Sequence, residues 1–189
     1  MGVNLEKQYI EYYKEMHKDE NLYEGSCLEL HAQTIKNYIS QHKATTLLDY
    51  GSGKGIQYSK EKLHELYFRG IMPKLFDPGI LEYSKLPEGM FDGVICTDVL
   101  EHIPEKALTG VLDEIYSKAS KFVYLGICTV LAKSLLPNGE NSHVTLKPLD
   151  EWVDLVLKYD NIHTHVYCYG ETKEYAIIKD GKVIFKWGK

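Results

Sequence analysis

The strongest local constraint on this chain lies in residues 45–58, Thr-Thr-Leu-Leu-Asp-Tyr-Gly-Ser-Gly-Lys-Gly-Ile-Gln-Tyr. A short apolar run, Leu47 and Leu48, ends in the carboxylate of Asp49, and glycines follow at alternate positions, Gly51, Gly53 and Gly55. A buried strand that stops at a glycine-rich turn and passes into a helix is the opening unit of a nucleotide-binding sheet. Glycine permits the sharp turn and leaves space where a Cβ would block close approach. The first N–H groups of the next helix have no internal partner and can face a ligand. Spacing narrows the choice. A dinucleotide fingerprint needs G-x-G-x-x-G, and Ile56 stands where its third glycine would fall. A phosphate-binding P-loop needs four residues between its glycines and then Lys-Ser/Thr, whereas Lys54 is followed by Gly55.

The remaining chain is long enough to test that reading. Its 189 residues suit one domain with a substantial core. No apolar run approaches the ~20 residues of a membrane span. The N-terminal residues lack a cationic leader with an apolar stretch behind it, and Glu6 stands where a myristoylation signal needs Ser or Thr, so a cytoplasmic protein is expected. Cys27, Cys96, Cys128 and Cys168 form no C-x-x-C pair and read as free thiols rather than disulfides or zinc ligands. Net charge is −5 and Arg69 is the only arginine, which disfavours a nucleic-acid partner without excluding one.

Taken in order, residues 5–18 have Tyr9, Ile10, Tyr13 and Met16 at helical spacing and predict a short covering helix. Ser26 and Glu29 form a capping box for a helix over 28–41, whose Leu28, Ala32, Ile35 and Ile39 share a face. Strands are expected at about 45–50, 73–77, 91–96, 121–128, 162–169, 174–178 and 183–187. Helices are expected at 56–68 (Ile56, Leu63, Leu66 and Tyr67 inward), 105–119 and 148–159. Asp180-Gly181 is a hairpin turn between the last two strands. The 129–147 connection is long enough to suggest function. The pattern predicts one α/β domain: an N-terminal helical cover over 1–44, then a doubly wound, mostly parallel, three-layer α/β/α core over 45–189 that ends in an antiparallel hairpin.

Four stretches together resemble class I S-adenosylmethionine-dependent methyltransferases, over roughly residues 23–179. They are Leu48-Asp-Tyr-Gly-Ser-Gly-Lys-Gly55, the acid Asp77 ending the second strand, Phe91-Asp-Gly-Val-Ile-Cys-Thr-Asp98, and Val99-Leu-Glu-His-Ile-Pro104. The resemblance implies a Rossmann-like methyltransferase sheet with S-adenosylmethionine as cofactor and S-adenosylhomocysteine as product. It also implies cofactor-binding roles for Asp49, Gly51, Ser52, Gly53, Gly55, Asp77, Cys96, Thr97 and Asp98. Gly51 and Gly53 would seat the methionine portion, and Asp77 would accept hydrogen bonds from the ribose hydroxyls. Cys96, Thr97 and Asp98 would pass beneath the cofactor mainly through backbone groups. Tyr23, Gly25 and Ser26 resemble the segment that covers the methionine carboxylate. The chain departs from the family between Asp77 and Phe91, where thirteen residues stand in place of a helix and a strand. Leu81, Tyr83 and Leu86 are the candidates there to flank adenine, with a reduced core as the alternative.

Methyl transfer is an in-line displacement, helped by a group that takes a proton from the acceptor. His102, with Glu101 beside it and His143 in the long connection, are the catalytic candidates, His102 first as general base. The alternative for Glu101 and His102 is to cap the next helix or close the pocket. Asp98-x-x-Glu101-His102 with His143 also resembles the metal site of small-RNA 2′-O-methyltransferases. That family has Glu at the first position, and residues 141–145 match its second half only loosely, so a divalent metal is an option and no ligand is assigned. The expected partner is a small-molecule or glycan acceptor methylated on O or N. A nucleic-acid or nucleotide methyltransferase and a non-catalytic cofactor-binding subunit remain as alternatives. The exocyclic base-amine signature is absent after the third strand, where Thr97-Asp98-Val99-Leu100 stands.

Overall fold

A computed structural model describes residues 2–19 and 27–188. Helices α1 (Gly2–Met16) and α2 (Leu28–Gln41) precede strand β1 (Leu47–Tyr50). Two single-turn helices, α3 (Ile56–Ser59) and α4 (Leu63–Leu66), lead to β2 (Lys74–Phe76). Strand β3 (Phe91–Thr97), helix α5 (Glu105–Lys118) and β4 (Ala119–Cys128) follow. Helix α6 (Leu149–Val156) precedes β5 (His163–Tyr169), β6 (Lys173–Lys179) and β7 (Lys182–Trp187). The strands form one seven-stranded sheet in the order β2-β1-β3-β4-β5-β6-β7. The first five are parallel, and β6 and β7 add antiparallel at the far edge. An order of 2-1-3-4-5 is a doubly wound order whose switch point lies between β1 and β3.

Each sheet face is buried, as parallel sheets require. One face carries Leu48, Val94, Val123, Leu125 and Val166 against Leu108, Leu112 and Ile115 of α5 and Trp152 of α6. The other carries Leu47, Ile95, Phe122 and Tyr124 against Ile35, Tyr38 and Ile39 of α2 and Leu63 of α4. The period-2 alternation of the strands sorts these residues between the two layers. Among the described residues, no helix is long and apolar enough to cross a membrane.

Two expectations change, in the 56–68 segment and at Pro148. The 56–68 segment is not one helix. Lys62 sits in the left-handed region at φ 57° and separates α3 from α4, because the polar run 59–62 offers no apolar periodicity to carry a helix onward. Tyr58 and Phe68 are buried beside Leu63, whereas Leu66 is exposed and Ile56 and Tyr67 only half-buried. Pro148 lies just outside α6, at ψ 162°, rather than at its first position. The segment after Asp77 contains a 3-10 turn at Leu81–Tyr83 and no strand, which leaves β2 at the sheet edge. Leu81 points to solvent and Leu86 packs into the core. The Tyr23, Gly25 and Ser26 segment, and with it the expected capping box, lies outside the described residues; helix α2 starts after Cys27, whose own side chain makes no cap hydrogen bond. The 180–181 hairpin is as expected, with φ of 52° at Asp180 and 67° at Gly181, the pair of positive values that a tight β-hairpin needs.

Strands β3 and β4 meet with little slack at Gly93, the register partner of Phe122. A Cβ built there would lie 2.2 Å from Cζ of Phe122, a ring with no exposure. Gly93→Ala is therefore expected to cost about 1–3 kcal/mol, the range for overpacking a core. The cost should be read from the urea midpoint and largely recovered by adding Phe122→Leu.

Candidate functional site

The glycine loop leaves β1 through left-handed residues: φ is 85° at Gly51, 55° at Gly53 and 67° at Gly55. Three interactions fold it back across the sheet edge. The N–H groups of Gly51 and Ser52 donate to the carbonyl of Phe76 at 2.7 and 3.1 Å. The N–H of Gly53 donates to Asp77 Oδ2 at 2.9 Å. The space where Gly51 would carry a Cβ holds Val99, with its Cγ2 only 2.1 Å from that position. The missing Cβ thus serves a valine of the β3 exit.

Asp49 is 2 % exposed. Its Oδ2 accepts from Tyr58 Oη at 2.8 Å and Gln57 Nε2 at 3.3 Å, and Gln57 also donates to the Ser52 carbonyl at 2.9 Å. Burial pushes its carboxyl up to about 7, against the pull of the Tyr58 and Gln57 hydrogen bonds. Asp77 is buried too: Oδ1 accepts from the Gly79 N–H at 2.8 Å and lies 3.8 Å from His17 Nε2. The Cys96 side chain enters the core, so only its backbone faces the sheet edge. Thr97 ends β3. Asp98 follows in the left-handed region at φ 57°, with its N–H on the Gly126 carbonyl at 2.9 Å and an oxygen held by Tyr169 Oη. The Ser52 hydroxyl and Asp98 Oδ2 have no hydrogen-bond partner among the described residues.

The 129–147 connection folds back over the exit of β3. His102 Nδ1 lies 2.8 Å from the Ser142 carbonyl and His143 Nδ1 lies 2.5 Å from the Val130 carbonyl. A carbonyl can only accept, so both rings carry hydrogen on Nδ1. The two rings stand edge to face with centroids 4.8 Å apart. Burial, reinforced by His143, pushes His102 down to about 4, so its ring is neutral near pH 7. Glu101 is wholly buried: Oε1 accepts the Cys128 N–H at 2.8 Å and Oε2 has no partner among the described residues. Burial first, then the charge of Asp98, holds its carboxyl well above the usual carboxylate range. Asp98 is pushed up to about 6 by burial, opposed by its hydrogen bond with Cys27.

Helix α1 crosses this edge. Tyr9 Oη donates to Glu140 at 2.8 Å, and Tyr13 Oη shares its hydrogen between the carbonyls of His102 and Ser142 at 3.0 and 2.9 Å. His17 packs on Asp77 and Gly79, and beyond the helix the carbonyl of Asp19 accepts from Lys54 at 2.6 Å. Tyr13, His17, Cys27, Cys128 and Tyr169 are thus site residues that motif reading passes over. The two tyrosines and His17 belong to no spacing pattern with their partners, and the cysteines pair with nothing along the chain. Tyr83, a proposed adenine neighbour, places its ring 3.6 Å from the Gly55 Cβ position. A cavity of about 720 Å³ opens beside Val130 and Leu131, walled by Leu146, Pro148, Glu171 and Glu174. A smaller one, of about 370 Å³, lies beside the Tyr116–Tyr159 stack and Ile162, toward the amino end of β5 and away from this site.

Two outcomes are expected. Gly51→Ala combines left-handed strain with the Val99 overlap and should destabilise by at least about 2 kcal/mol. Val99→Ala in the same chain should return the steric part but not the strain, as a double-mutant cycle will measure. Asp49 keeps a proton in the folded chain, between pH about 4 and about 7, that the unfolded chain has lost, so its contribution to stability falls as pH rises through that window. Asp49→Asn should therefore gain stability relative to the native chain between about pH 5 and about pH 8, on the order of 2 kcal/mol by urea unfolding.

No family model, curated protein or solved structure matches this chain.

Proposed function

We propose that this chain is an S-adenosylmethionine-dependent methyltransferase acting on an oxygen or nitrogen of a small-molecule or glycan acceptor in the cytoplasm. The observation that carries this reading is the convergence of the glycine loop, Asp77 and Asp98 at the carboxyl ends of three adjacent strands. They flank the β1/β3 switch point, where open α/β sheets take their ligands. The residues present fit the cofactor. The loop is left-handed at all three glycines, and the Ser52 hydroxyl is buried and unsatisfied among the described residues. Asp77 spends two backbone hydrogen bonds of the roughly four that an ionised carboxylate can accept.

In this proposal the 51–55 loop receives the methionine portion, with Gly51, Ser52, Gly53 and Gly55 lining it. Asp77 receives the ribose hydroxyls, and the backbone of Cys96, Thr97 and Asp98 runs beneath. Asp49 acts one step removed, holding the loop through Gln57 and Tyr58. The cofactor, when bound, supplies an electron-poor methyl group on a sulfonium. The protein orients the acceptor and excludes water, effects worth up to ~7–11 kcal/mol in favourable cases. Helix α1 covers the edge and serves the second purpose. His102 presents a neutral Nε2 lone pair and takes the acceptor proton. Glu101, its carboxyl held above the usual range by burial and by Asp98, accepts the Cys128 N–H and braces the turn that carries His102. The cavity beside Val130 gives room for the acceptor next to the segment that His143 anchors.

Calorimetric titration with S-adenosylhomocysteine tests the reading: one site is expected, with tighter binding than NAD. Tighter binding of NAD, or no binding of either sulfur ligand, would reject it. Asp77→Ala should weaken that binding by about 1.5–3 kcal/mol, the loss of a charged hydrogen-bonding partner. His102→Ala should leave the affinity unchanged and abolish turnover of any acceptor found by screening.

A further inference from the structure

The side chains behind His102 form a group that no sequence motif contains. Ligand atoms of Glu101, Cys128 and His143 all lie within 4.8 Å of one another. They come from three separate places in the chain: the turn after β3, the last residue of β4, and the 129–147 connection. Each is already oriented. Glu101 is fixed through Oε1 by the Cys128 N–H, which leaves the buried Oε2 without a partner among the described residues. His143 is fixed by donating its Nδ1 hydrogen to the Val130 carbonyl, the backbone contact that sets tautomer and ring angle in metal-bound histidines. The thiol of Cys128 has only a weak 3.9 Å contact to the same carbonyl. A buried carboxylate oxygen left unsatisfied is costly, and a cation is one of the few groups that would satisfy it there.

We infer that Glu101, Cys128 and His143 form a binding site for one borderline-soft divalent cation, zinc in the first instance. One thiolate, one imidazole and one carboxylate suit zinc or cobalt, whereas magnesium and calcium prefer sites made wholly of oxygen. Tetrahedral zinc, with bonds of about 2.0–2.3 Å, sets its ligand atoms about 3.3–3.6 Å apart, so small side-chain rotations close the observed spread. Three protein ligands leave the fourth position open, the arrangement of zinc sites that act on a bound molecule rather than only holding a fold. Asp98, whose Oδ2 is likewise unpartnered among the described residues, acts on Glu101 through its charge. Binding releases the Cys128 thiol proton to solvent and involves no change of oxidation state. The set differs from Asp98, Glu101, His102 and His143 as aligned in the sequence: His102 is turned to Ser142, and a cysteine takes part. The inference does not depend on the methyltransferase reading.

The test uses the full chain, freed of metal by chelation and titrated with zinc against a chromophoric chelator, and separately with cobalt. One equivalent of zinc is expected to bind with a sub-micromolar dissociation constant, unaffected by excess magnesium. The cobalt form should show tetrahedral visible bands and a thiolate-to-cobalt charge-transfer band. Cys128→Ser should abolish the charge-transfer band, and Cys128→Ser and His143→Ala should each weaken zinc binding by at least about 10–100-fold. Cys27→Ser should retain the band. Circular dichroism of each metal-free variant separates lost binding from lost folding, and Cys128→Ser, which differs by one atom, is the variant on which the result rests. Absence of a stoichiometric zinc site in the folded native chain, displacement by magnesium, or persistence of the charge-transfer band in Cys128→Ser would overturn the assignment.

Discussion

The exit of β1 depends on a side chain that is not there. Gly51 turns left-handed and gives the volume of its missing Cβ to Val99, so the end of β1 and the start of the β3 exit occupy one place. The N–H groups of Gly51 and Ser52 then fasten the same turn to the Phe76 carbonyl at the end of β2. Three strand ends are thereby held in register by one residue without a side chain. Three carboxyl groups at this edge are positioned from that junction: Asp49 two residues before it in β1, Asp77 after β2, and Asp98 just before Val99.

The second organising influence is low polarity. Asp49, Asp98 and Glu101 are all held above the ordinary carboxylate range, and His102 below the ordinary imidazole range, each with burial as the largest cause. The edge therefore carries less charge at neutral pH than its composition suggests. Desolvation of this kind is common at functional clefts, because a group that is uncomfortable in the resting state responds strongly to an arriving charge. Buried carboxyls and imidazoles would be poor choices for stability alone.

Much of the architecture was legible along the chain. The seven strands, α2, α5 and the terminal hairpin follow from apolar periodicity and turn residues, which are local signals. The glycine loop was legible for the same reason. Reading failed where structure depends on distant partners or on a single backbone angle. Lys62 breaks the 56–68 segment by adopting φ 57°, which no apolar count registers. Gly51 reads along the chain as room for a ligand, and only the fold shows a second demand on its missing Cβ, that of Val99 from 48 positions away. Cys128 looked like the tail of a buried strand, and only the return of the 129–147 connection brings His143 beside it. Helix α1 was recognised as a cover, but its seats on His102, Ser142 and Glu140 lie 89 to 131 residues away and leave no trace in spacing.

Those long spans bear on the order in which the molecule assembles. Tyr9 and Tyr13 can settle only on loops that themselves require β3, β4 and the 129–147 connection to be in place. Contacts between such remote parts of a chain carry a large loop-closure cost and form late. The sheet can therefore be complete while its carboxyl edge is still open, and α1 closes it as a final event. The same contacts lie near the surface, so they are expected to be among the first to release during local opening, at a free energy well below that of global unfolding. A nascent chain would acquire its core before its cleft, and the mature chain could uncover that cleft without unravelling the sheet beneath it.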